Sequence, residues 1–260
     1  MIGGAQISDI RVWVGRDAQL ATLERVLPTL KVLVLLGQGG IGKTSLAVKL
    51  LDAVGVDRKT QTLTPDCVYE RVIYVRVQEG MGFDGVVQEL AQGLGLTLRE
   101  FQTPEQMIAQ LMAALQERRC LVVLDNLEDA LQGGRAISPE LGKLLYSLVD
   151  FSHRSQVMIT SREKPLDLVD PRDPTGIPDP FLVRLEPVEG ISAESGIELL
   201  RAFRLQDSEA DLRWVVERVG GHVLLLTLLA KRAQGKPGFL RTNPQLVTRD
   251  ARPILQAQLG

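Results

Sequence analysis

Histidine and cysteine are scarce in this chain, with two of each in 260 residues. Cys67 and Cys120 form no CxxC pair and no cluster with His153 and His222 at metal-ligand spacing, which argues against a dedicated zinc site and a disulfide-stapled miniature. A reducing, cytoplasmic setting is expected. An excess of one charge is missing too: 30 Lys+Arg stand against 32 Asp+Glu, a formal net charge of −2, and the basic pairs Arg118-Arg119 and Lys231-Arg232 are scattered. That leaves no electrostatic footprint for nucleic acid, and none is expected as a partner. The longest apolar stretches, Val32 to Leu36, Cys120 to Leu124 and Val223 to Ala230, fall short of the roughly 18 residues a membrane span needs. The N-terminus has no basic start followed by an apolar core, so it does not read as a signal peptide. At this length one large domain, or a domain with an appendage, is expected.

Five short runs rich in Val, Ile and Leu are present: Lys31 to Leu36, Arg71 to Val77, Cys120 to Leu124, Gln156 to Thr160 and Phe181 to Leu185. They are apolar at both alternating faces, as parallel strands covered by helices should be. Helical signals lie between them. Thr103-Pro104-Glu105-Gln106 supplies an N-cap, a Pro at the first helical position and a Gln three residues on, and Met107, Leu111 and Leu115 share a face. Ser138-Pro139 opens another helix, carrying Leu141, Leu144, Leu145 and Leu148. The alternation predicts an α/β fold, a doubly wound five-stranded parallel sheet. Pro171 to Pro180 reads as a surface loop. Beyond it Ser192 to Phe203, Ser208 to Val219 and His222 to Arg232 read as consecutive helices without strands, with Gly220-Gly221 between the last two. Residues 1–186 are therefore expected to form the sheet domain and 187–235 a small helical subdomain, leaving 236–260 as a tail or the start of another domain.

Gly37-Gln-Gly-Gly-Ile-Gly-Lys43-Thr44 matches G-x-x-x-x-G-K-[ST] between an apolar strand and a helix, Thr44 to Ala53. The N–H groups of such a loop cradle phosphate oxygens, helped by the positive end of the helix. The candidate phosphate site is Gln38, Gly39, Gly40, Ile41, Gly42, Lys43, Thr44 and Ser45. Lys43 would contact the β/γ-phosphates and Thr44 would ligate Mg²⁺. Cys120 to Leu124 ending in Asp125 is a Walker B candidate, an apolar strand beside the P-loop strand that brings a carboxylate to the metal. The strand near 71 to 77 intervenes in sequence, which fits the P-loop branch with an added strand between the two motif strands. Many hydrolysing P-loop ATPases carry a second carboxylate after the Walker B acid; here Asn126 stands there. Glu128 or Asp129 would substitute for it, or both are helix-start acids. Slow hydrolysis, a weak ATPase, is expected. Arg162, after Gln156 to Ser161, is either a reader of the γ-phosphate or a solvated arginine.

Taken in order, these motifs resemble the STAND class of signalling ATPases, the NB-ARC and NACHT-like modules of multidomain regulators. Val12-Trp13-Val14-Gly15-Arg16 is similar to that family's hhGRE motif, with Asp17 for the usual Glu. GQGGIGKTSLA, LVVLDNLED and the sensor-like MITSRE follow, and Gly220-Gly221-His222-Val223-Leu224-Leu225 resembles its GxP motif, with Val223 for proline. The resemblance implies an ASCE or AAA-like P-loop sheet and ATP/ADP with Mg²⁺ as ligands. Trp13, Val14 and Val223 would contact the adenine, with Arg16 near the nucleotide and Arg162 as γ-phosphate sensor. The alternative readings are Trp13 as a packing aromatic and His222 as a helix-start histidine. The implied role is a molecular switch that self-associates in the ATP state in a longer protein, the isolated core being a monomer. The implied extent is a core that in the family continues into a winged-helix domain and sensor repeats. Two other readings are an AAA-like remodeller or loader and a small-molecule kinase, whose lid would be Pro171 to Pro180 with Arg172.

Overall fold

The computed structural model describes residues 2–7, 10, 12–99, 102–170, 172–173 and 175–248. By its contacts the chain forms two compact units. The first draws on residues 1–9, 20–37 and 43–187; the second on 10–19, 38–42 and 188–260.

The first unit holds a parallel sheet of β1 (Ile2–Gly4), β2 (Val32–Leu36), β3 (Arg71–Arg76), β4 (Cys120–Asp125), β5 (Gln156–Ser161) and β6 (Val183–Pro187). The spatial order is β1-β3-β4-β5-β2-β6, every neighbouring pair parallel. The expected α/β parallel P-loop fold is present, with six strands rather than five. The extra strand, β1, gave no sequence signal because two of its three residues are glycine. Gly3 is needed there: a Cβ on it would lie 2.7 Å from the Cα of Gly93.

The second correction concerns lateral order. The strand between the P-loop strand β2 and the Walker B strand β4 is β5, pairing Val32 with Val157 on one side and Leu121 with Gln156 on the other. The 71–77 strand lies beyond β4. Crossover connections can skip a neighbour, so order in sequence does not give order in the sheet. The last strand begins at Val183, leaving Phe181 83% exposed.

Helices cover the sheet because its strands are apolar on both faces. Val32, Val34, Ile73, Val75, Val122 and Val157 share a cluster with α3 (Phe83–Leu94), α4 (Pro104–Glu117) and α5 (Pro139–Asp150). The alternate residues Leu33, Leu35, Leu121 and Met158 are buried as well, and α2 (Lys43–Ala53) packs on β2 and β5. Each such side chain contributes roughly 1.5–3 kcal/mol of burial. The capping box forms as expected: Thr103 Oγ1 accepts from Gln106 N–H at 3.3 Å and Gln106 Oε1 from Thr103 N–H at 2.9 Å. Ser138 caps α5 by accepting from Leu141 N–H. No helix among the described residues is long and apolar enough to cross a membrane.

The second unit contains α6 (Ala193–Ala202), α7 (Glu209–Arg218), α8 (Val223–Ala233) and the short α9 (Phe239–Thr242). Ser192, Ser208 and His222 are their N-caps where the sequence places the first three starts. Leu199, Leu200, Leu212, Val216, Leu226 and Leu229 form the core, to which Leu240 and Val247 also belong. The tail from 249 to 260 lies outside the described residues. The helix α1 (Asp17–Val26) begins in this unit and ends in the first.

Candidate functional site

In the first unit the polar centre is the carboxylate that ends β4. Asp125 is 1% exposed. Its Oδ1 accepts from Thr44 Oγ1 at 2.8 Å and Thr160 Oγ1 at 2.7 Å, and its Oδ2 from Tyr74 OH at 2.7 Å. The C-terminal halves of three adjacent strands deliver three of these groups: β3 supplies Tyr74, β4 Asp125 and β5 Thr160. Thr44 stands in the first turn of α2. Burial and the adjoining Asp125 charge push the Tyr74 hydroxyl far above its ordinary pKa, so it stays a donor. Arg76 Nε lies 4.0 Å from Oδ2, but its side chain is 37% exposed and the pair contributes little.

Beyond Asp125 the chain turns sharply. Asn126 is left-handed (φ 63°, ψ 44°), a conformation Asn tolerates better than most residues, and its N–H donates to Thr160 Oγ1 at 2.8 Å. The turn leads into a short 3-10 stretch, Leu127–Ala130. Glu128 is brought inward there: its side chain is 9% exposed, Oε1 lies 2.9 Å from Arg162 Nε, and Oε2 is buried with no hydrogen-bond partner. Asp129 is exposed. Of the two acids left open by the sequence, Glu128 therefore joins this cluster. Lys43 is buried and donates to Gly37 O at 2.8 Å. Burial lowers its pKa, Glu128 and Asp125 oppose the shift, and Arg162 adds to it.

In the second unit the loop residues Gln38–Gly42 are held by carbonyl contacts. His222 Nε2 lies 2.9 Å from Gly39 O, Leu224 N–H donates to Gly40 O at 3.1 Å, and Arg16 Nη2 donates to Ile41 O at 2.8 Å. Arg16 Nη2 also donates to Glu189 O at 2.6 Å; the guanidinium is buried, which lowers its pKa. Trp13 Nε1 donates to Asp17 at 2.8 Å, and Val14 and Val223 pack on the helical core. Gln38 is exposed, and Ser45 is half-buried in the first turn of α2. In the expected 171–180 loop, Pro171 and Pro174 lie outside the described residues and Arg172 is exposed.

Sequence reasoning missed Tyr74 and Thr160. The signal available was faint, a polar hydroxyl within each of two apolar strands. Thr44 and Asp125, already in hydrogen-bond contact, offer hard oxygen donors that suit Mg²⁺. Positive φ at Gly40 (74°) and Gly42 (111°) suits a loop that cradles phosphate.

Comparison with known proteins bears on the family and the fold. An uncharacterized WD repeat-containing protein of Nostoc is 30% identical over 236 residues, covering 85% of this chain and 18% of that protein. The chain thus spans less than a fifth of that relative. A STAND protein with a tetratricopeptide repeat sensor from Pyrococcus horikoshii superposes with a TM-score of 0.60 at 18% identity, over 87% of this chain and 31% of that one. The ORC1 protein of Aeropyrum pernix, solved in complex with DNA, gives 0.53 at 18% identity, over 86% and 61%. At these identities the two structures share the fold. Residues 29–163, from the P-loop strand through the sensor-like arginine, match the model of the AAA domain, and it is to this family of P-loop ATPase domains that the chain belongs.

Proposed function

We propose that the chain binds ATP and ADP with Mg²⁺ and works as a nucleotide-dependent switch of the STAND kind, hydrolysing ATP slowly. Loop residues 38–42 and Lys43 would hold the phosphates, Thr44 and Asp125 the metal, and Trp13, Val14 and Val223 the base. Mg²⁺, when bound, would neutralise charge on the β- and γ-oxygens.

The observation that carries the reading is the Arg162–Glu128 pair, in which the arginine side chain is 62% exposed and the carboxylate 9%. A γ-phosphate competes with Glu128 for the guanidinium and can hold it bidentately. Capture by phosphate releases Glu128 to polarise water. ADP lacks that group and leaves the pair intact. One cation thus reads the nucleotide and holds the base until ATP is present. The ATP state would favour self-association.

Calorimetry tests the reading. Lys43→Ala should abolish nucleotide binding with the fold intact, whereas unchanged ADP affinity in that variant sinks the proposal. Arg162→Ala should keep ADP affinity and lose about tenfold of ATP affinity, a charged hydrogen bond's contribution. Wild-type turnover should stay below about 1 s⁻¹.

A second reading, an AAA-like loader that acts on nucleic acid, draws on the likeness to ORC1 solved with DNA. DNA-stimulated turnover would favour it.

A further inference from the structure

Three consecutive loop carbonyls, those of Gly39, Gly40 and Ile41, each accept a hydrogen bond from within the second unit. Two of the donors open α8 and the third is the buried Arg16. The described chain contains no cis peptide. In a trans peptide the C=O of one residue and the N–H of the next point in opposite directions. Fixing Gly39 O therefore aims the Gly40 N–H away from α8, and fixing Ile41 O aims the Gly42 N–H away from Arg16. The middle peptide is fixed at both ends, since Ile41 N–H donates to Gln38 O at 3.3 Å.

His222 is committed to this task by its own hydrogen bonds. Its Nδ1 accepts from Leu225 N–H as the cap of α8, so that nitrogen carries no proton. Gly39 O can only accept, so Nε2 must carry the proton and donate. Glycine is required opposite: Gly40 has φ +74°, and a Cβ there would lie 2.6 Å from Leu224 Cδ2. A Cβ on Gly42 would lie 3.7 Å from Arg16 Nη2 and 4.0 Å from Val223 Cγ2, so the start of α8 lines both glycines and the arginine lines Gly42.

We infer that His222, with the Leu224 N–H and Arg16, is a positioning residue for phosphate. It holds the loop carbonyls back so that the Gly40 and Gly42 N–H groups are oriented for an anion before one arrives. Preorganised donors need no rearrangement on binding, which is where such an arrangement gains affinity. The inference rests on the nucleotide reading above and assigns His222 to the phosphates rather than to the base or sugar.

The experiment compares ADP with adenosine by calorimetry on the full 260-residue chain. His222→Ala should weaken ADP about tenfold, as expected for one lost hydrogen bond plus a loosened loop, and leave adenosine within about twofold. His222→Gln, whose amide can still donate to Gly39 O, should recover most of the ADP affinity. Circular dichroism of the nucleotide-free variants should match the wild type, with the melting of His222→Ala lowered by only the few degrees (about 2–4 °C) that loss of the α8 cap costs. Equal weakening of ADP and adenosine, or unchanged ADP affinity in His222→Ala, overturns the assignment. Failure of the wild type to bind ADP overturns the nucleotide reading and the inference with it.

Discussion

The two units anchor their polar groups in different ways. Around Asp125 the anchors are side chains: Tyr74, Thr160 and Thr44 are aimed at one carboxylate by strand register and a helix start. Around residues 38–42 the anchored groups are backbone carbonyls, gripped by a histidine ring, a main-chain N–H and a guanidinium. A side-chain centre depends on which residue occupies a position. A backbone centre depends on which conformation the chain adopts there, so glycine matters more in the second region and hydroxyl chemistry in the first.

Substitutions can break this comparison, and the largest effect is expected in the side-chain region. Glu128→Gln should lower ATP turnover about a hundredfold, the usual scale for losing a general base, while Asp129→Asn should leave it within about twofold. Equal effects in steady-state assays would remove the distinction between the two acids. Next is the backbone region. Gly40→Ala meets both the positive φ and Leu224, and should destabilise the loop by about 1–3 kcal/mol, read as weaker ADP binding at unchanged melting of the remainder. Wild-type ADP affinity in Gly40→Ala would mean that the loop conformation is not what matters. The smallest effect tests whether Asp125 depends on each of its donors. Tyr74→Phe should raise the Mg²⁺ concentration that half-saturates its effect on ADP binding by a few fold, since one lone pair of a buried carboxylate loses its partner. A Mg²⁺ titration superimposable on that of the wild type would reduce Tyr74 to packing.

This contrast also explains what could be read in advance. The P-loop, the five longer strands, the capping box at Thr103 and the starts of α5 to α8 each rest on residue types with strong local preferences. They were legible. The strand β1 was not, because Gly3 and Gly4 offer no apolar pattern and pair only through the backbone. The place of β5 between β2 and β4 was not either, since lateral order follows from crossovers rather than composition. In the candidate site Lys43, Thr44, Asp125 and Arg162 were visible as motif letters, and Glu128 as one of two options. The turn at Asn126 brings Glu128 inward and leaves Asp129 exposed, and a left-handed residue leaves little trace beyond being Asn. The carbonyl contacts of His222 and Arg16 had no signature at all, because every residue carries the same carbonyl.

The outer strands of the sheet, β1 and β6, form its two edges. An open strand edge invites pairing with another chain, and proteins blunt such edges with short strands, charge or proline. Here one outer strand, β1, is three residues long, and the other, β6, carries the Arg184–Glu186 pair at 2.8 Å and ends in Pro187, which has no N–H to offer. Strand addition is disfavoured at both ends. Were copies of this chain to gather, as proposed above, they would have to meet through helices and loops, surfaces whose shape a bound ligand can alter, rather than by extending a sheet whose pairing no ligand controls.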